Sequence, residues 1–280
     1  MTLPQNILKA VVNTSTLPPH HTTNCYVIEN DGGALLIDPI FEPGNPLDVC
    51  MKENHIRSIQ YAAVTHPHPD HHGGINELLG GYGGQLLFHD DVGGSGPFGV
   101  ADPGRVRRVS GGETIETGGF TLQVLHTPGH SPAHLCFYIP EEGLLFSGDT
   151  ILGYGTSIIS PPEGDMADYM QTLETLAALD IKSICPAHGP VIDQRAPERI
   201  RWYIAHRRTR ETLILEALKE GLSQIASITR RIYTEEDFKM HGLDLLPRAE
   251  RTVLAHLQKL EKEKRVIQEI KDDGPHYFLA

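Results

Sequence analysis

Four side chains that can bind a metal ion, His66, His68, Asp70 and His71, fall within six residues of the segment VTHPHPDHHGGI, residues 64–75. Alternate side chains of an extended segment point the same way, so His66 and His68 can grip one ion from a loop at the end of the strand YAAVT. Asp70 and His71 then face a neighbouring ion. Pro67 and Pro69 fix φ on either side of His68 and lower the entropy lost when the loop orders. Sixteen histidines in 280 residues fit this emphasis, because imidazole is the commonest protein ligand for metals. A chain with such a segment must fold so that further donors reach the same place.

Three such donors follow other apolar runs: His130 in LHTPGHS, Asp149 in LFSGDT and His188 in ICPAHGP. The ends of neighbouring strands converge at one edge of a sheet. One ion then takes His66, His68 and His130, and a second takes Asp70, His71 and His188, with Asp149 bridging the two. Mixed imidazole and carboxylate ligation suits two Zn2+ per chain, with iron or manganese as alternatives.

The rest of the chain reads as a large domain followed by a small one. Up to residue 195, β-rich runs (NCYVIEN, GALLIDPI, YAAVTH, GGQLLFH, FTLQVLHT, HLCFYIP, GLLFSGD) alternate with glycine-rich turns. Among them, DMADYMQTLETLAALD places Tyr169, Met170, Leu173, Leu176 and Leu179 on one helical face. Strands with intervening helices imply an α/β class. From residue 196 to 280 three helical patterns precede two short strands joined across Asp272, Asp273 and Gly274, the order of a winged helix-turn-helix. The four cysteines stand singly without C-x-x-C spacing, so buried thiols in a reducing compartment are expected. No run approaches the roughly 18 apolar residues of a membrane span, and the opening MTLPQNILKAVV lacks a leader pattern. The expectation is a cytoplasmic protein without membrane contact.

The motifs THPHPDH, TPGH, SGD and PAHG, in that order over residues 23–190, resemble the motif set of the metallo-β-lactamase superfamily. That resemblance implies a four-layer αβ/βα sandwich as the catalytic domain, 1–195, with a helical winged-helix-like domain over 196–280. It also implies that Asp38, in LLIDP, stands behind a ligating histidine and fixes its tautomer. Within the superfamily, GPVI after His188, the helix WYIAHRRTRETLIL and the helix-rich tail are similar to the β-lactamase-like protein 2 group, which implies endoribonuclease activity on single-stranded RNA. The commonest subclass of true β-lactamases has a Cys where this chain has Asp149, which argues against antibiotic hydrolysis. The oxygen-reducing di-iron relatives carry a Glu in place of His68 and a flavin module, and this chain has neither.

Two divalent ions about 3.5–4 Å apart lower the pKa of a shared water toward neutrality, and Asp70 and Asp149 are the candidate catalytic residues that orient it. Substrate contacts are expected from the loop LPPHHTTNCY, with His20 and His21, and from GYGTS, with Tyr154 and Thr156. Arg207 and Arg208 stand in the cation-rich helix RIRWYIAHRRTR and are expected either to meet an anionic substrate or to pair with carboxylates. Charge divides these options. Residues 1–196 carry 8 basic against 22 acidic side chains, net -14, and residues 197–280 carry 16 against 14, net +2. An acidic body disfavours an ordinary nucleic-acid binder, since such binding rests on neutralising phosphates. The expectation is therefore hydrolysis of phosphodiester bonds in single-stranded RNA, with thioester or ester hydrolysis as the alternative. A remote third is a non-catalytic RNA-binding protein. The basic helix 248–265 interleaves acids with its cations, so the tail is expected to pack, to form a homodimer or to shape the substrate site rather than to bind DNA.

Overall fold

The structure, a computed structural model, describes residues 3–16, 20–31, 33–90, 98–100, 102–234 and 245–280. It divides into two units: Met1–Thr127, Ala133–Ser157 and Leu179–Pro197 form the first, and Pro128–Pro132, Ile158–Ala178 and Glu198–Ala280 the second. Residues 17–19 of the loop LPPHHTTNCY lie outside the described residues.

The first unit is built on two six-stranded sheets. In one, β1 (Ile7–Asn13), β2 (Thr22–Asn30), β3 (Gly33–Ile37), β4 (Ser58–Ala63), β5 (Gln85–His89) and β6 (Val106–Val109) lie side by side in chain order. The first three pair antiparallel; β3 to β6 run parallel. Helices α1 (Pro46–Glu53) and α2 (Ile75–Tyr82) make two of the crossovers, as parallel neighbours require. In the other sheet the order is β12 (Ile192–Asp193), β11 (Ser183–Pro186), β10 (Leu144–Gly148), β9 (Leu135–Ile139), β8 (Phe120–His126) and β7 (Thr114–Thr117). Only β10 and β11 run parallel there, so their carboxyl ends open on the same side.

Strand periodicity assigns each residue to a face. Cys25, Val27, Ala34, Leu36, Ala62, Val64, Leu86 and Phe88 share one buried cluster with Leu47 and Met51 of α1 and Ile75, Leu78 and Leu79 of α2. Their alternates Tyr26, Ile28, Leu35, Ile37, Ala63 and Leu87 enter a second cluster with Leu122, Val124, Leu135, Phe137, Leu144 and Phe146 of the other sheet. Both faces of β2 to β5 are therefore covered, which is why these strands read as near-continuous apolar runs. The interior edge-to-face pair of Tyr26 and Phe146 has ring centroids 5.1 Å apart.

The second unit contains α3 (Met166–Ala177), all of α4 (Ala196–Lys219) beyond Pro197, α5 (Ile225–Ile232), α6 (Leu246–Lys262) and the hairpin β13 (Val266–Lys271) and β14 (Gly274–Leu279). Asp165 caps α3 by accepting from the backbone of Ala167 and Asp168. The helix ends at Ala177, so Leu179 lies beyond it rather than on its apolar face. Ile214 and Leu218 of α4, Ile228 and Ile232 of α5, Val253, Leu257 and Leu260 of α6, and Val266 and Tyr277 of the hairpin form one core. Among the described residues no helix is long and apolar enough to cross a membrane.

The core between the sheets carries a direct test. Phe146→Ala removes a fully buried ring and is expected to cost about 3–5 kcal/mol in urea unfolding. Val11→Ala, on the 43% exposed side of β1, should cost less than about 0.5 kcal/mol. Equal losses would contradict the facing assigned to these strands.

Candidate metal centre

The strand ends of the first unit bring the sequence motifs together. β4 runs out into the HPHPDH segment, where each proline holds its preceding residue extended: His68, before Pro69, has φ -69° and ψ 139°. Pro69 then opens a 3-10 turn, Pro69–His71, which swings Asp70 and His71 away from the extended pair. His66 Nε2 and His68 Nδ1 lie 2.8 Å apart. Asp149 follows β10 and His188 follows β11, and the parallel pairing of those strands carries both to one edge.

Asp38 leaves β3 with φ +50° and aims its buried carboxylate at the end of β4. Oδ1 accepts from the Thr65 backbone N–H at 2.8 Å, and Oδ2 accepts from the Thr65 hydroxyl at 2.9 Å and from His71 Nδ1 at 2.9 Å. A carboxylate accepts only, so His71 Nδ1 carries a proton, and in the neutral ring that binds a metal the lone pair lies on Nε2. His188 is fixed likewise, donating from Nδ1 to the Thr22 carbonyl at 2.8 Å. The His188 turn is itself held by β2. Asn24 Nδ2 donates to the carbonyls of Pro186 and Gly189, and the Tyr26 hydroxyl donates to Pro186.

These bonds leave two buried imidazole nitrogens, His71 Nε2 and His188 Nε2, with no hydrogen-bond partner. Carboxylate oxygens surround them without forming hydrogen bonds to them. His71 Nε2 lies 3.8 Å from Asp70 and 3.7 Å from Asp149; His188 Nε2 lies 3.5 Å from Asp70 and 3.4 Å from Asp149. Ligand atoms about 2.0–2.1 Å from a tetrahedral ion are roughly 3.3–3.4 Å apart, so the spacing suits donors to a common cation. Within the first unit two overlapping groups of donors lie close enough to hold an ion: His66, His71 and Asp149, and Asp70, His71 and His188.

Electrostatics agree with the geometry. Burial alone would push the His71 imidazolium down, but the carboxylates of Asp38, Asp149 and Asp70 outweigh it and raise its pKa to about 9. Burial pushes the Asp70 carboxyl up, and contact with His188 and the charge of His71 override that and hold it well below the usual carboxylate range. His188 is raised against its burial by Asp149 and Asp70. Three acidic groups around two buried imidazoles thus call for positive charge, and a metal ion supplies it in place of protons.

One residue of this site was not singled out by its sequence context. His134, fully buried in the turn before β9, accepts the Asp149 backbone N–H on Nε2 at 3.1 Å and donates from Nδ1 to the Thr127 hydroxyl at 2.9 Å. Its ring stacks on His66, centroids 4.9 Å apart. Gly148 makes room for it with φ +48°, since a Cβ there would come within 2.7 Å of His134 Nε2 and of Thr65 Oγ1. Its one available signal is that it shares the loop TPGHSPAH with His130.

The other expected site residues fall as follows. His130 groups with the second unit, where its Nδ1 donates to Ile158 O at 2.8 Å, leaving the lone pair on Nε2. Of the pair at 20 and 21, His21 is exposed, whereas His20 is buried, with its ring 5.3 Å from that of His188. Burial and the neighbouring His188 lower the His20 pKa to about 4. Tyr154 stacks on His20 and remains 45% exposed, and Thr156 is half-buried. Arg207, 2% exposed, lies over the Tyr169 ring at 5.3 Å, and Arg208 pairs with Glu174 at 2.9 Å, all within the second unit.

The bonds behind the ligands yield the next expectation. Asp38→Ala and His134→Phe should each weaken divalent metal binding about 10- to 100-fold, read by competition with a chelator. Wild-type affinity in both variants would show that neither residue positions the donors.

Comparison with known proteins accounts for both parts of the chain. The metallo-beta-lactamase superfamily profile matches residues 19–188, and that of the beta-lactamase associated winged helix domain matches residues 225–274. The beta-lactamase-like protein 2 homolog of Caenorhabditis elegans is 32% identical over 267 residues, covering 91% of this chain and 82% of that protein. The lactamase-like protein aptB of Emericella nidulans is 34% identical over 206 residues, 71% of this chain, and the match spans 61% of that relative's length. The crystal structure of a beta-lactamase domain protein from Burkholderia ambifaria has the same fold, with a TM-score of 0.81 at 22% identity over 100% of this chain and 93% of that one. The chain belongs to the metallo-beta-lactamase superfamily of metal-dependent hydrolases and carries that family's winged-helix domain behind the catalytic fold.

Proposed function

We propose that this hydrolase cleaves phosphodiester bonds in single-stranded RNA with two zinc ions. In this reading His66, His68 and His130 would hold one ion, Asp70, His71 and His188 would hold the other, and Asp149 would contribute to both. The observation that carries the hydrolytic part is the pair of buried, unpartnered imidazole nitrogens facing two carboxylates. What supports the RNA part is likeness over nearly the whole chain, winged helix included, to a beta-lactamase-like protein 2 homolog.

When bound, the ions acidify a water and polarise the oxygen of the scissile group. The chain's own residues prepare that chemistry. Asp38 and the Thr22 carbonyl hold His71 and His188 in the tautomer that turns Nε2 inward. His134 fixes the backbone of Asp149. Asp70 or Asp149, whose carboxylates reach both imidazoles, would orient the attacking water.

A second reading, thioester or ester hydrolysis, is favoured by one specific observation. The cations expected to meet an RNA backbone are engaged inside the second unit: Arg208 with Glu174, and Arg207 buried over Tyr169. A small acyl substrate needs no such cations.

Cleavage of a labelled single-stranded RNA by metal-replete protein separates the two. The wild type should cleave it, and His68→Ala, purified identically, should lose at least about 100-fold in rate together with bound metal. Intact RNA after incubation with protein carrying two equivalents of zinc would exclude the nuclease and turn attention to acyl thioesters.

A further inference from the structure

Tyr154 is a large aromatic residue left 45% exposed beside the metal centre, in the segment that follows Asp149. An exposed tyrosine is ordinarily free to rotate, but this one is held on two sides. One face stacks on His20, with centroids 4.6 Å apart and planes 23° from parallel, and His20 is buried with its ring 5.3 Å from that of His188. The ring edge lies on Gly189, whose φ of +86° follows directly on His188. A Cβ at 189 would come within 2.9 Å of Tyr154 Cδ1, so only glycine lets the ring settle there. The strand-end turn is pinned as well, since Gly153 N–H donates to His188 O at 2.9 Å.

With one face stacked on His20 and one edge on Gly189, the residue still keeps nearly half its surface exposed. Its rotamer freedom is already spent, so a flat group that lands on it gains contact at little further ordering cost. The first 196 residues carry a net charge of -14, which rules out drawing the substrate in by general electrostatic attraction. Stacking needs no charge and accepts any base, because every base has a π face.

We propose that Tyr154, backed by His20, is a stacking platform for the nucleobase next to the scissile phosphate of a single-stranded RNA. This rests on the phosphodiester reading of the metal centre and adds a base subsite to it. The platform holds the substrate in the ground state and the transition state alike, so its loss raises KM and leaves kcat nearly unchanged.

The test uses metal-replete full-length wild type, Tyr154→Ala and Tyr154→Phe, each checked for zinc content. Substrates are an oligouridylate and a set of the same oligomer with a single abasic ribose walked along it. Stacking on an aromatic side chain contributes enough that Tyr154→Ala should raise KM about 10-fold or more with kcat within about twofold, and Tyr154→Phe should restore it. One abasic position should raise the wild-type KM by a similar factor and have no further effect on Tyr154→Ala. If wild type cleaves RNA and Tyr154→Ala keeps its KM, or the abasic and alanine effects multiply, the platform is refuted while the nuclease reading stands. If zinc-loaded wild type cleaves no RNA, both are refuted. A Tyr154→Ala effect on KM seen only with aromatic esters would assign the ring to an acyl substrate instead.

Discussion

The carboxylate of Asp38 is the constraint on which the site depends. A buried anion is tolerated only where donors surround it, and here three converge from the segment that follows β4: the Thr65 N–H, the Thr65 hydroxyl and His71 Nδ1. The same bonds join the end of β3 to the end of β4 and set the tautomer that directs His71 Nε2 inward. Removing the carboxylate would release the strand end and let the imidazole turn, so a structural bond and a functional one are here a single interaction. The left-handed backbone at Asp38, φ +50°, is the local strain accepted to aim it.

The large architecture was readable because both sheets obey a period of two and their central strands are apolar on both faces. The runs NCYVIEN, GALLIDPI, YAAVTH, GGQLLFH, FTLQVLHT, HLCFYIP and GLLFSGD all overlap observed strands. The strands of the two six-stranded sheets that none of the quoted runs covers are β1, β6, β7 and β12, which stand at sheet edges. An edge strand is short and half exposed, as in VRRV and TIET, so its sequence carries little of the apolar pattern that marks a central one. The helix DMADYMQTLETLAALD was read one turn too long because Leu179 keeps the periodicity after the backbone has left the helix.

The donors were legible for a different reason. Metal chemistry demands residue types that are otherwise scarce together, and the prolines of HPHPDH fix their local geometry in the sequence itself. His134 was not legible, because its partner, the Asp149 N–H, is fifteen residues away and is a backbone atom that no sequence marks. The choice between His20 and His21 depended on which side of β2 faces His188, a tertiary fact. The arginines of α4 show the same limit. A crowd of cations is visible in the sequence, but whether Glu174 or a ligand answers Arg208 is decided by where α3 packs.

This placement of charge shapes any account of binding. Two divalent ions offset only part of the net -14 of the first 196 residues. In α6, Lys259 pairs with Glu211 and Glu263, and Lys262 pairs with Asp165; the following Arg265 pairs with Glu211. Several cations of the winged helix are thus answered within their own unit, and a paired cation is a weak lure for a phosphate chain. If the substrate is a polyanion, its attraction would have to act at short range, through bound ions and through shape and stacking close to them. A polyanion held in that way would bind with a shallow salt dependence, because few counterions are released when few cations meet phosphates. On the proposed reading, selectivity rests with the side chains at the mouth of the metal centre, where a single ordered ring counts for more than the sum of the surface charge.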